Sequence, residues 1–149
     1  NNLFDNKIKN ENLISKGTEL LHNAAIGNKL STYHLEASIA FWHTVNEDSN
    51  EKWENILQLY NKLLQLSYSP VAALNRTYAL YRANGAEEAI IQAEKLNQTN
   101  NQYYFVLLGE LYKEKDINYA IKCLQQALKM TKNTTEKTMI DKRINELQK

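Results

Sequence analysis

The stretch that decides the fold is Trp53-Glu54-Asn55-Ile56-Leu57-Gln58-Leu59-Tyr60-Asn61-Lys62-Leu63-Leu64. Trp53, Ile56, Leu57, Tyr60, Leu63 and Leu64 fall at offsets 0, 3, 4, 7, 10 and 11. On a helix those positions form a single apolar stripe. Ile117, Ala120, Ile121, Leu124, Ala127 and Leu128 repeat the same offsets, and Ala86, Ala89, Ile90, Ala93 and Leu96 fill the first five. The three stripes begin 33 and then 31 residues apart. A stripe recurring at that interval is an internal repeat.

The segments between the stripes agree. Leu74, Asn75 and Tyr78 match Leu108, Gly109 and Tyr112 at a spacing of 34. A helix pair returning every ~34 residues is the tetratricopeptide period. The expected fold is therefore all-α: tetratricopeptide-like antiparallel helix pairs forming a right-handed superhelical stack of about eight helices. They are placed near residues 9–25, 31–45, 50–66, 69–83, 86–96, 102–114, 117–131 and 134–148. Gly109 and Ala120 are small enough to let the two helices of one unit approach closely, and Ala127 admits the next.

Punctuation supports the division. Ser69 is placed to cap the fourth helix, with Pro70 in its first turn, where a missing N–H costs nothing. Asn84-Gly85 breaks the chain before the fifth, and Asp116 and Asn133 are N-caps. The helix over 31–45 is apolar on two sides, with Tyr33, Ala37, Ala40 and Phe41 on one and Leu35, Ile39 and Trp42 on the other. It is expected between layers. Polar residues 1–11 read as a linker or the tail of an upstream region, and 12–149 as one helical domain.

With 149 residues the chain is the size of one domain. Such a domain buries roughly 68–70% of its unfolded surface. Disulfides and structural metals are not needed. Lys and Arg total 18 against 17 Asp and Glu, interleaved, for a net charge of +1. That balance lacks the basic stripe of a nucleic-acid module. Cys123 is the only cysteine, which excludes an internal disulfide and fits a reducing, cytoplasmic setting. No apolar run approaches the ~18 residues of a membrane helix.

The chain carries no Gly-rich phosphate loop, nucleophile elbow or helical His-Glu-x-x-His motif. His34 and His43 lie nine residues apart, on opposite faces of a continuous helix, and cannot share a metal. No metal, cofactor or catalytic residue is assigned, and the expectation is a binding protein rather than an enzyme. Cys123 is read as a small buried hydrophobe. Tyr103-Tyr104-Phe105 cannot all face inward, so Tyr103 and Tyr104 are candidates for an aromatic binding surface. Arg76 stands among Ala72, Ala73, Ala79 and Leu80. At the 34-residue spacing its equivalents are Trp42 and Glu110. One reading is a ladder of the three on the concave face, beside Asn75, with Arg76 paired to Glu110 and stacked on Trp42; the other is that Arg76 simply braces adjacent repeats.

Three stretches then narrow the reading. They are Tyr33-His34-Leu35-Glu36-Ala37-Ser38-Ile39-Ala40, the Trp53 to Leu64 stripe, and Ser69-Pro70-Val71-Ala72-Ala73-Leu74-Asn75-Arg76. In this order and spacing the chain resembles, from about Asn12 to Leu147, the C-terminal extension of a group of bacterial extracytoplasmic-function sigma factors. There a tetratricopeptide-like region follows the DNA-binding domains. The resemblance implies a regulatory protein-interaction domain acting in transcription initiation. Its partners would be its own sigma domains, RNA polymerase or a regulatory protein, with DNA met only through upstream domains. A stand-alone peptide-binding scaffold is the alternative.

Overall fold

Helix starts fall where side chains can satisfy the first free backbone N–H groups. In the computed structural model, which describes the backbone from residue 2 onward and the side chains of residues 15–20 and 22–149, Ser49 Oγ accepts from Lys52 N at 3.2 Å and opens one helix. Ser69 Oγ accepts from Ala72 N at 3.1 Å and opens another, with Pro70 in its first turn. Asn101, Asp116 and Asn133 cap three more. Gly85 closes one helix and begins the next with φ at 92°, a conformation that glycine adopts without steric cost.

Among the described residues there are seven helices and no strand. They are α1 (Asn2–Thr44), α2 (Asn50–Leu66), α3 (Pro70–Asn84), α4 (Ala86–Leu96), α5 (Gln102–Tyr112), α6 (Ile117–Met130) and α7 (Thr134–Gln148). Six match expected helices to within two residues. The two helices expected over 9–25 and 31–45 are instead one. Nothing between them stops a helix: Gly27 costs only about 1 kcal/mol relative to alanine, and no proline intervenes. Residues 2–11, read above as a linker or the tail of an upstream region, are helical backbone whose side chains lie outside the described residues.

Each helix packs on its successor, and α3 also packs on α5. The main core joins Ile56, Tyr60, Leu74, Leu80, Ile90 and Leu108 from α2 to α5. A smaller cluster of Leu124, Ala127, Ile140 and Ile144 holds α7 against α6. Cys123 is buried, as expected, and burial pushes its thiol pKa up. The expected sandwich around residues 31–45 is not formed. Leu35, Ile39 and Trp42 pack on the core, whereas Tyr33, Ala37, Ala40 and Phe41 are exposed.

The loop between α1 and α2 is clasped to the stack at Trp53. Its Nε1 donates to Asp48 Oδ1 at 2.6 Å. Arg82, from α3, lays its guanidinium over the indole at 4.6 Å, pairs with Asp48 Oδ2 and donates from Nη1 to Tyr78 Oη at 2.9 Å. Lys52 Nζ donates to the Val45 carbonyl at 2.9 Å. The indole bond holds the Asp48 carboxyl below its ordinary pKa, with Arg82 and Lys52 adding to the effect.

Helices α5 and α6 approach closely at Gly109. A Cβ there would stand 2.7 Å from Leu124 Cγ and 2.8 Å from its Cδ2. Leu124 is itself buried, so it has little room to yield. Gly109→Ala adds up to ~1 kcal/mol of helix propensity but overpacks the seam by ~1–3 kcal/mol. A net loss of about 1 kcal/mol is expected, read as a lower midpoint in urea with unchanged slope.

Candidate functional site

Helices α3, α5 and α7 enclose a cavity of about 430 Å³. Its apolar floor is Leu74, Val106 and Leu107, with Val71 at the rim. Val71 is strongly exposed although it follows Pro70 at the start of a well-capped helix. Polar groups converge around that floor: Asn75 and Tyr78 from α3, Asn101 and Tyr103 at the start of α5, Glu110 further along it, and Arg143 from α7. A second cavity of about 410 Å³ lies between α1, α2 and α3, and Val71 and Asn75 line both. The two depressions therefore adjoin along α3.

The rim is held by its own contacts. Tyr103 Oη donates to Glu136 Oε1 at 2.6 Å, while Gln102 Nε2 and Thr131 Oγ1 donate to Oε2 at 2.6 and 3.0 Å. The Asn133 cap on Glu136 N, at 3.1 Å, fixes the start of that helix. The Tyr103 phenol first, and Thr131 second, hold the Glu136 carboxyl below the ordinary glutamate pKa; Glu136 in turn raises that of Tyr103. At the opposite wall Glu110 accepts from Lys113 Nζ at 2.6 Å and pairs with Arg143 Nη1 at 3.5 Å. Asn101 Nδ2 donates to Gln98, and Gln98 Nε2 donates to the Pro70 carbonyl at 3.1 Å, tying the α4–α5 loop to the start of α3. Tyr78 rests edge-on against Trp53 at 5.5 Å, which links the groove wall to the clasp.

Of the six residues expected at a binding groove, Asn75, Tyr103 and Glu110 line this one. Arg76 does not. Its Nε donates to Asn61 Oδ1 at 2.5 Å, in a separate depression bordered by Tyr68, Gln92 and Leu96. The ladder is therefore absent: Glu110 is engaged by Lys113 and Arg143, and the guanidinium over an indole is that of Arg82 on Trp53. One residue along a helix is a turn of ~100°, which carries Arg76 away from the side that Asn75 faces. Trp42 is half-buried against the core, edge-on to Phe41 at 6.0 Å. Tyr104 is buried, and burial raises its phenol pKa. Val71, Tyr78, Asn101, Val106 and Arg143 were not singled out from sequence. Arg143 meets Glu110 across 33 residues of chain, and no local pattern marks either it or the exposed Val71.

No three His, Cys, Asp or Glu side chains converge as metal ligands among the described residues, and none of the helices described is long and apolar enough to cross a membrane.

No protein-family model matches the chain. An uncharacterized protein of Rhizobium meliloti (strain 1021) is similar to it, 29% identical over 113 residues. That match covers 74% of this chain but 27% of the relative, so the chain spans about a quarter of that protein's length.

Glu136 and Asp48 have lowered folded-state pKa values, so the stability each contributes is present above its unfolded pKa and lost as pH falls through the folded value. Tyr103→Phe removes the leading cause of the Glu136 shift. The Glu136 pKa, followed by NMR titration of its side-chain carboxyl, is expected to rise toward the ordinary value, and acid unfolding to begin at higher pH.

Proposed function

We propose that this chain is a tetratricopeptide-like domain that binds an extended polypeptide along α3, and that it serves as the regulatory protein-interaction domain of an extracytoplasmic-function-type sigma factor. The observation that carries the binding role is the groove itself. An apolar floor with a few fixed amide, phenol and charged groups around it is what recognises a chain segment: the floor takes side chains, and the rim groups fix direction and register. Tyr103 and Asn101 are held in place by other contacts, which lowers the entropy lost on binding.

The repeat reading is supported by equivalent residues in equivalent surroundings. Leu74 and Leu108 are both buried, and Ala89 and Ala120 are both fully buried, in successive helix pairs. Consecutive packing of α1 to α7, with α3 on α5, fits a stack of such pairs. The sigma-factor setting rests on the sequence resemblance, and within it the partners would be the factor's own domains, RNA polymerase or a regulatory protein. The near-neutral charge agrees with a protein partner and leaves DNA to other domains.

The test is recovery of RNA polymerase core and promoter activity by a full sigma factor carrying this domain, with and without residues 12–149, and with Val71→Glu and Asn75→Ala. Both single sites are exposed, so the fold is expected to persist, checked by circular dichroism. Loss of partner recovery or altered promoter activity on deletion, reproduced in part by the groove variants, is expected. If deletion alters neither, the regulatory role fails; if deletion acts but the groove variants do not, the groove is not the contact.

A further inference from the structure

Among the described residues of α1, three large apolar side chains in the open follow a rule. Ile26, Leu30 and Tyr33 are 44%, 55% and 67% exposed, and the exposed Ala37 and Ala40 continue their spacing of four, three, four and three residues. That is the alternation of a helix–helix seam, averaging 3.5 residues. The seam lies on the side of α1 opposite Leu35, Ile39 and Trp42, which hold α1 to the stack. Ile26 and Leu30 point away from the stack, while Tyr33 and the Lys29 and Glu36 flank border a depression against the end of α2, and Ala40 lines the cavity between α1, α2 and α3.

We infer that this seam is a self-association surface, and that its occupant is α1 of a second copy running antiparallel. Charge decides the occupant. Lys29 and Glu36, both exposed, each immediately precede a seam residue, Leu30 and Ala37. In an antiparallel pair, residues in that flanking position face their own kind across the seam. Leu30 set against Tyr33 of the second copy brings Lys29 to Glu36 of that copy, and two-fold symmetry repeats the pair. The same register sets Ile26 against Ala37, large against small. It also accounts for two large exposed apolar residues outside the seam among those described: Leu20 and Phe41, 69% and 63% exposed, flank it on the other side and meet across the dimer. In a parallel pair Lys29 would face His34 instead, and Glu36 would face Phe41.

The test is sedimentation of the 149-residue chain over a wide concentration range. A monomer–dimer equilibrium is expected. Leu30→Glu should leave a monomer with an unchanged melting transition of the core, since Leu30 makes no core contact. Lys29→Glu or Glu36→Lys alone places like charges together twice and should weaken dimerisation roughly tenfold. The double variant Lys29→Glu/Glu36→Lys should restore it. A chain that stays monomeric throughout, a dimer that survives Leu30→Glu, or one indifferent to the single reversals or not rescued by the double would each overturn the inference.

Discussion

The indole of Trp53 is the constraint on which the arrangement of the first three helices depends. It is the first residue of the stripe that makes α2 amphipathic, and it is buried at the place where the α1–α2 loop, α2 and α3 meet. Its N–H is a donor that burial would penalise if left alone, and Asp48 satisfies it. Asp48 in turn fixes Arg82, whose guanidinium covers the ring. One aromatic residue thereby fixes a loop carboxylate, a cation on the next helix and, through Tyr78, the wall of the groove. His43 meets the same ring edge-on at 5.9 Å, and its burial there lowers the imidazole pKa, with Lys52 as a second cause.

The groove is thus supported from two directions. Tyr78 ties it to the Trp53 clasp on the side of α2, and Tyr103 ties it to Glu136 on the side of α7. The stretch Ser69-Pro70-Val71 does three jobs in succession: a cap, a start and an exposed apolar rim. The Pro70 carbonyl also takes Gln98, which brings the start of α5 to the start of α3. Between these supports the floor is apolar; the charged residues that line the groove, Glu110 and Arg143, pair at one end, and the Glu136 carboxylate is bound to Tyr103 at the other.

Much of the helix pattern was legible in sequence because the stripes at Trp53, Ala86 and Ile117 and the caps at Ser69, Asp116 and Asn133 act locally. Gly109 was legible from its place in the repeat, as a small residue on one helix of a pair, and Leu124 is the neighbour that its missing Cβ admits. The site was less so. Asn75, Tyr103 and Glu110 were found from repeat spacing and aromatic crowding. Arg76 was misplaced because spacing alone does not say which neighbour a long side chain will choose, and Asn61 sits nearer than the next repeat. The contacts of Arg143 with Glu110 and of Glu136 with Tyr103 cross 33 residues of chain and leave no local mark. The break expected within α1 has a different origin. A turn there would need something for the second half of a hairpin to pack on, and the described face offers exposed residues instead.

The division of the core into two clusters gives the groove uneven walls. Helix α3 belongs to the large cluster, while α7 is held by the smaller cluster that it shares with α6, by the Glu136 hydrogen bonds at its first turn and by the Arg143–Glu110 pair. Segments held by few apolar contacts open at lower free energy than the whole domain. The wall carrying Arg143 is then the one that exchanges its amide hydrogens first, and a ligand bridging α3 to α7 would be felt as slowed exchange in the last helix. The C-terminal helix is thus the more lightly anchored wall of the groove, and α3 the more deeply packed one.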